Sequence, residues 1–420
     1  MPNQYAAQVY PVPNRFIGFG KEAPGSSGTA VAPTATVPMG KFDPADKITF
    51  LEDTAWRNAM AGLYNLIEGV QISDVTMGGP LFADTIAYPL AGILGDYWQS
   101  VNGTAGTATT LNGGTSVGAT AVTLTSATGF ATNTIFAVGG TGTTSEEVRK
   151  AISVVGSVAY FTPALYQAHL TGAAVTPYGG VTNYTHNFAL LNGTGAGMGG
   201  FPNAQPCTYT ITDATGVPAT FGARQYAYAV PTELTLSGTS TGLVEWEAKY
   251  TAIASAIAAA TPTSNPSGVA PQPSWNTTVT IGGTPYYNNI EYKLSLMRKA
   301  EPIFGNNAQQ APYAIPRGWM TATIGMNFDP AISEAVYLLF YSNTQPTLTI
   351  VASNGLAGSS AASITYTAQV AAFDTGVITD AKEVFGYDLT AKLVGNSTNV
   401  GPSAGYGPLV VTLVNGTVAY

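Results

Sequence analysis

The sequence predicts a mainly β protein in which a short helix followed by a set of strands occurs twice, with a small all-β module inserted into the first set. Three observations predict it. Segments whose apolar residues fall on every second position recur along the chain, the pattern of half-buried strands. Two apolar helical stripes of matching spacing stand at 84–95 and 329–343, each ahead of such segments. A stretch dominated by Gly, Thr, Ala and Val, 103–177, interrupts the first set.

Residues 1–47 are rich in Pro, Gly, Ala and Ser and show no period, so they are expected to form an extended arm that orders only against something else. In DTIAYPLAGILG (84–95), Ile86, Leu90, Ile93 and Leu94 make an apolar stripe, with Asp84 as N-cap and Gly95 as the stop. Pro89 either kinks this helix or marks its start. The 103–177 stretch carries short strand patterns (SVGATAVTLTSATGF, NTIFAVGG, EEVRKAISVVGSVAYFTPAL) with turn signals between them. It reads as a module inserted in a surface loop, where added length costs little. CTYTIT (207–212) resumes the main pattern.

PTELTLSGTSTGLVEWEAKY (231–250) reads as two strands and a turn. Leu234 and Leu236, then Val244, Trp246, Ala248 and Tyr250, take the apolar side; Glu233, Glu245, Glu247 and Lys249 take the other. Keeping the apolar faces together puts Leu236 opposite Gly242 or Val244, which sets Glu233 against Glu245 or Glu247, a destabilising like-charge pair. TAIASAIAAA (251–260) is either a short helix or a continuation of the strand. The four prolines of TPTSNPSGVAPQP (261–273) mark a linker.

Beyond it come IEYKLSLM (290–297) and WMTATIGMNF (319–328), then DPAISEAVYLLFYSN (329–343) with Ile332, Val336, Leu339 and Phe340 in a stripe and Asp329-Pro330 as its start. TLTIVA (347–352), SITYTAQV (363–370), VFGYDLTAKLV (384–394) and PLVVTLV (408–414) follow as strands. Helix then strands, twice, points to an internal duplication. The expected organisation is an arm (1–47), a first domain (48–102 with 178–260), the inserted module (103–177), a linker (261–273) and a second domain (274–420).

Charged residues make up 9% of the 420 residues, against about 25% in ordinary proteins. So little charge favours a surface largely hidden in contacts with copies of the same chain. The net charge is −8, and Arg149-Lys150 and Arg298-Lys299 are the only adjacent basic pairs. Gripping nucleic acid needs clustered cations, so contact with DNA is expected to be non-adhesive. Cys207 is the only cysteine, which excludes an internal disulfide and a cysteine metal cluster. The first residues lack a signal-peptide run and no apolar stretch reaches the length of a bilayer span, so synthesis in the cytoplasm without membrane insertion is expected.

No catalytic, cofactor-binding or metal-ligating residue is expected. His169 and His186 read as hydrogen-bonded structural residues, and His186 would activate Cys207 only if the fold joined them. GAGMGG (195–200) lacks the strand, helix and acid of a dinucleotide site and reads as a loop. Glu146-Glu147 and Glu52-Asp53 read as solvated or helix-start acids. The connection RKAEPIFGNNAQQAPYAIPRG (298–318) is long for a hairpin loop. Its Arg298, Ile303, Phe304, Tyr313 and Ile315 either dock on a neighbouring subunit or fold back on their own domain.

DKITFLEDTAWRNAM, MGGPLFADTIAYPLAGILGD, TELTLSGTSTGLVEWEAKY and LLFYSNTQPTL resemble segments of the major tail (tail tube) proteins of long-tailed, siphovirus-like bacteriophages, especially those of actinobacterial hosts. The resemblance covers both halves and spares the insertion, which is similar to Thr/Gly-rich β-modules of phage structural proteins. It implies two tandem tail-tube-type β-sandwich or barrel domains, each with a flanking α-helix. It also implies trimeric pseudo-hexameric or hexameric rings stacked into a hollow tube that conducts DNA, located in the virion beside tape-measure, terminator and distal tail proteins. Carried onto this chain, 298–318 and 1–47 would bridge stacked rings. Glu233, Glu245 and Glu247 either line the bore, where they repel phosphate, or face outer solvent. The competing expectation is a Thr/Gly-rich adhesin or other capsid-associated β-protein whose tyrosines stack on a host receptor or glycan. A cell-wall hydrolase lacks a catalytic constellation.

Overall fold

The computed structural model describes residues 15–23, 25–55, 57, 60–139, 146–192, 208–214, 223–258, 264, 267–306, 310–329, 335–381 and 384–420. The described chain is mainly β, built on two large antiparallel sheets with two short α-helices. In order it runs β1 (Phe16–Lys21), β2 (Ala35–Val37), β3 (Lys41–Asp53), β4 (Asn65–Pro80), α1 (Ala87–Leu94) and β5 (Gly95–Ala105). The inserted stretch supplies β6 (Thr109–Thr110), β7 (Ala121–Thr123), β8 (Ile135–Val138), β9 (Glu147–Val155) and β10 (Val158–Phe161). Then come β11 (Ala174–Leu190), β12 (Tyr209–Ala214), β13 (Arg224–Thr239), β14 (Glu245–Ile253) and β15 (Ala256–Ile257). The rest is β16 (Thr277–Ile281), β17 (Thr284–Tyr286), β18 (Asn289–Ala300), β19 (Arg317–Phe328), α2 (Ala335–Tyr341), β20 (Leu348–Ser353), β21 (Ser363–Ala368), β22 (Ala371–Ala381), β23 (Val384–Leu393) and β24 (Val410–Asn415).

One sheet contains the ladder β3-β4-β14-β13-β18-β19-β23-β22; the first part of β13 also carries β12, β1, β2 and β15. The other runs β17-β16-β20-β21-β24-β11, with β5 on the far side of β11. Leu294, Ile324 and Leu393 of the first sheet and Ile350, Tyr366 and Ala368 of the second line one small internal void, so the apolar faces meet. A single hydrophobic cluster runs through both halves, and β13 pairs β18 from Glu233–Met297 to Thr239–Glu291. The 261–273 linker therefore does not part the sheets. Its last residues are stitched in by Val244 N–H to Gln272 O and Gln272 N–H to Leu81 O.

α1 forms where the stripe predicts, and all eight of its residues are buried. Pro89 sits in the first turn, where a missing N–H costs no intrahelical bond. Gly95 ends the helix in the left-handed region (φ 90) and bonds Ala91 O. Asp84 is not the cap: Ile86 holds that position without a side-chain bond, and the Asp84 carboxylate accepts the Ser267 hydroxyl. Burial raises the Asp84 pKa. The Asp329-Pro330 start and Ile332 are partly outside the described residues; Val336 is the buried member of α2.

Three further expectations change. Residues 15–47 are not a detached arm: β1 pairs β12 and β2, and Ile17 and Phe19 enter the core. Buried Glu22 fixes the segment, accepting Thr208 and Thr210 hydroxyls and the N–H groups of Gly28 and Tyr228. Residues 251–253 finish β14 and 256–257 form β15, so the described part of this stretch is strand and connection and not helix. The inserted stretch does form a β-module with its own core of Leu111, Val122, Leu124, Phe136 and Phe161, but β5 and β11 run on into it through β6 and β8.

Candidate assembly surface

The first sheet turns one face to the core and leaves the other open. Directly opposed residues share a face, and the open one carries Glu233 against Lys249, Thr235 against Glu247 and Ser237 against Glu245. Glu233, Glu245 and Glu247 are thus gathered on one wall as the alternation requires. The predicted like-charge register does not occur. β13 ends at Thr239 and β14 begins at Glu245, so the turn is wider than expected and Leu236 faces Trp246. That register runs unbroken from the turn to Glu233–Lys249, and a bulge follows only beyond it, between Pro231 and Glu233. Glu233 accepts from Lys249 at 2.6 Å and Glu247 from Lys41 at 2.9 Å. Lys47 pairs with Asp74 and Lys392 with Asp374 in the same way. The wall is a shallow open trough of mixed sign and not a uniformly negative one.

The ladder repeats its own order. β3-β4-β14-β13 is followed by β18-β19-β23-β22, hairpin for hairpin. Phe42 opposes Met77 and Met77 opposes Ala248; Tyr292 opposes Met326 and Met326 opposes Leu389. The bulges match too: Ile48/Phe50 with Arg298/Ala300, and Pro231/Glu233 with Phe373/Thr375. α1 packs on β13 and α2 on β22, the corresponding strands. Among the described strands, β3 pairs only β4 and β22 only β23, so the ladder ends on two open edges. Open edges are templates for pairing with another chain.

The 298–318 connection is divided. Arg298 is buried and donates to Ile93 O and Leu94 O at the end of α1, where burial first and Arg317 second lower its pKa to about 8. Arg317 likewise donates to Gly92 O. Ile315 is buried with Tyr228 and Val230, and its N–H bonds the Tyr228 hydroxyl. Arg298 and Ile315 therefore fold back on their own chain. Ile303, Phe304 and Tyr313 remain exposed on a small bridge between Ile303 and Ala314. A larger apolar surface escaped the sequence reading: Ile48, Phe50, Leu51, Leu63, Leu66 and Ile67 are exposed along the β3–β4 hairpin. Its signal is the pair of apolar-rich runs KITFLED and YNLIEGV, joined by TAWRNAMAGL (54–63).

Both histidines are hydrogen-bonded within the fold. His186 Nδ1 accepts the Tyr97 hydroxyl at 2.8 Å and Nε2–H donates to Thr417 O at 2.8 Å. Burial lowers its pKa to about 4. Cys207 and GAGMGG lie outside the described residues. Glu146 and Glu147 are buried and not solvated. Glu147 bonds Arg149 at 2.5 Å, the N–H groups of Tyr166 and Gln167, and His169 at 3.2 Å. Arg149 also donates to Gln99, joining the module to β5. Among the described residues no three His, Cys, Asp or Glu side chains gather to hold a metal ion, and no helix is long and apolar enough to cross a membrane.

The fold and this surface define a class: a mainly β, antiparallel two-sheet protein with an open, repeating ladder. No family model matches the chain, and no match is found among curated proteins.

Proposed function

We propose that this chain is a structural virion protein whose copies add head to tail into rings, stacked into the hollow tail tube of a long-tailed bacteriophage. The observation that carries the reading is the repeated strand order. A chain that joins one four-strand unit to the next through β13–β18, and ends on β3 and β22, offers each end what the other lacks. Such heterologous contacts generate closed rings when the rotation between units closes. In this reading the two units are tandem tube domains, three chains would imitate a hexamer, and the polar face of the ladder lines the bore. Four of its lysines, Lys41, Lys47, Lys249 and Lys392, engage carboxylates, which leaves few cations to hold phosphate as DNA passes. Tape-measure, terminator and distal tail proteins would be the other partners. Electron microscopy of the purified protein tests the reading. Rings or hollow tubes are expected, and the mass of one ring separates three copies from six. Isolated globules or rods would favour an adhesin.

A further inference from the structure

We infer that β22 of one copy pairs antiparallel with β3 of the next, with Gly376 opposite Asp46, Val377 opposite Ala45 and Ile378 opposite Pro44, and that the last turn of α2 seats on the next copy's β3–β4 hairpin around Ile48. The inference rests on the head-to-tail reading and supplies its contacts.

The chain contains the template. The matching bulges and opposed pairs equate Leu234 with Gly376, Leu236 with Ile378, Leu296 with Asp46 and Leu294 with Pro44. Inside the chain, Leu234 opposes Leu296 and Leu236 opposes Leu294. Transferring those pairs gives the stated register. The same correspondence sets Ile48 in the place of Arg298, the residue that meets the C-terminal end of α1.

Exposure differs where the template says a neighbour is missing. α1, which also touches β18, is wholly buried. α2 packs chiefly on β22 and β23, and its Leu338 and Tyr341 are 51% and 80% exposed. Leu236 is fully buried beside β18, whereas its counterpart Ile378 is 55% exposed. Ile48, Phe50 and Leu51 form the complementary apolar patch. Where the chain supplies arginines to α1, the next copy would supply apolar side chains to α2, matching the exposed Leu338. Pro44 leaves one N–H out of the ladder and guards the edge against indiscriminate partners.

A cysteine pair tests the register, because opposed antiparallel residues lie about 4.5–5.5 Å apart at Cα, within disulfide reach. In the full chain, V377C with A45C should give covalent oligomers on oxidation, seen on non-reducing gels. Each single variant should stay monomeric there, as should I378C with A45C, whose side chains leave opposite faces. L338D should abolish assembly in light scattering while leaving the far-ultraviolet spectrum and melting temperature of the single chain unchanged. Rings or tubes that form without V377C–A45C cross-links would overturn this junction and leave the tube reading standing. A wild-type chain that stays monomeric at every concentration would remove both.

Discussion

Lys249 Nζ lies 2.6 Å from Glu233 Oε2, and the two residues oppose each other directly across β13 and β14. The pair replaces the glutamate–glutamate clash that alternation and a tight turn would have produced. Both side chains are partly exposed, and such pairs contribute only about 0–1 kcal/mol. The consequence is for binding: if this wall lines a bore, as proposed, a lysine held by a carboxylate is a lysine unavailable to phosphate.

Converting Glu233, Glu245 and Glu247 together to lysine should therefore spare the fold and change DNA behaviour. The far-ultraviolet spectrum and ring assembly should match wild type. DNA ejection from assembled virions should slow, more at low salt than at high salt, because freed and added lysines would condense on phosphates. Ejection at the wild-type rate would place this face away from the bore.

The strands most legible in the sequence were those with one buried and one open face. Trp246, Ala248 and Tyr250, or Leu294 and Leu296, report their faces at every second position. β3 and β22 were hidden for the opposite reason: Ile48, Phe50 and Leu51, and Val377 and Ile378, are exposed around open edges, which blurs the alternation. The β1 segment looks like an arm in the sequence because its fixings, Thr208, Thr210 and Tyr228 around Glu22, are remote in sequence. Glu146 and Glu147 misled in the same way, being buried by Gln99, Tyr166 and His169 neighbourhoods that no local pattern announces. The acidic triad was legible as a face; its lysine partners were not, because Lys249 is set by the turn length and Lys41 comes from a strand remote in sequence.

The Arg149–Glu147 pair gives a stability prediction. Arg149 is fully buried and donates to Glu147, Gln99, Pro163 O, Ala164 O and Val148 O. Burial alone would raise the Glu147 pKa; the Arg149 charge, His169 and the Tyr166 N–H outweigh it and hold the carboxyl below its ordinary range. Arg149→Met would strand a buried carboxylate and should cost about 3–5 kcal/mol. Urea denaturation measures it, and R149M combined with E147Q should recover part of the loss. A cost below about 1 kcal/mol would show that water reaches the pair.

His186 gives a pH dependence. The unfolded imidazole takes a proton near its ordinary 6.5, while burial holds the folded one neutral down to about 4. Between those values the unfolded state binds more protons, so stability falls as pH falls. His186 should account for about 2 kcal/mol of loss between pH 7 and pH 5. The groups around it are the Tyr97 hydroxyl, the Gln99 amide, Asn415 and the Tyr420 ring; the Arg149 charge further opposes protonation. Denaturant unfolding across this range should show a shallower slope in His186→Gln. Asp84 and Asp96, whose pKa values burial raises, act oppositely in both proteins and cancel in the difference. Parallel profiles would mean that His186 is protonated in the fold.

Gly92 in α1 should reverse the usual sign of a helix substitution. Glycine to alanine inside a helix ordinarily gains about 1 kcal/mol. At position 92 a Cβ would stand 2.6 Å from Pro231 Cγ, 3.0 Å from its Cδ and 3.3 Å from Tyr209 Cε2. The proline ring cannot turn aside, and it sits at the bulge that sets β13 against β14. Relief requires α1 to lift, which also disturbs the bond from Arg317 to Gly92 O. Overpacking of this kind costs about 1–3 kcal/mol, so Gly92→Ala should lower stability on balance. Gly325→Ala, on the open face with no atom near its Cβ, is the control and should not. If both variants unfold at the wild-type urea midpoint, α1 is not wedged against the β13 bulge, and the packing of Gly92 on Pro231 is looser than these distances require.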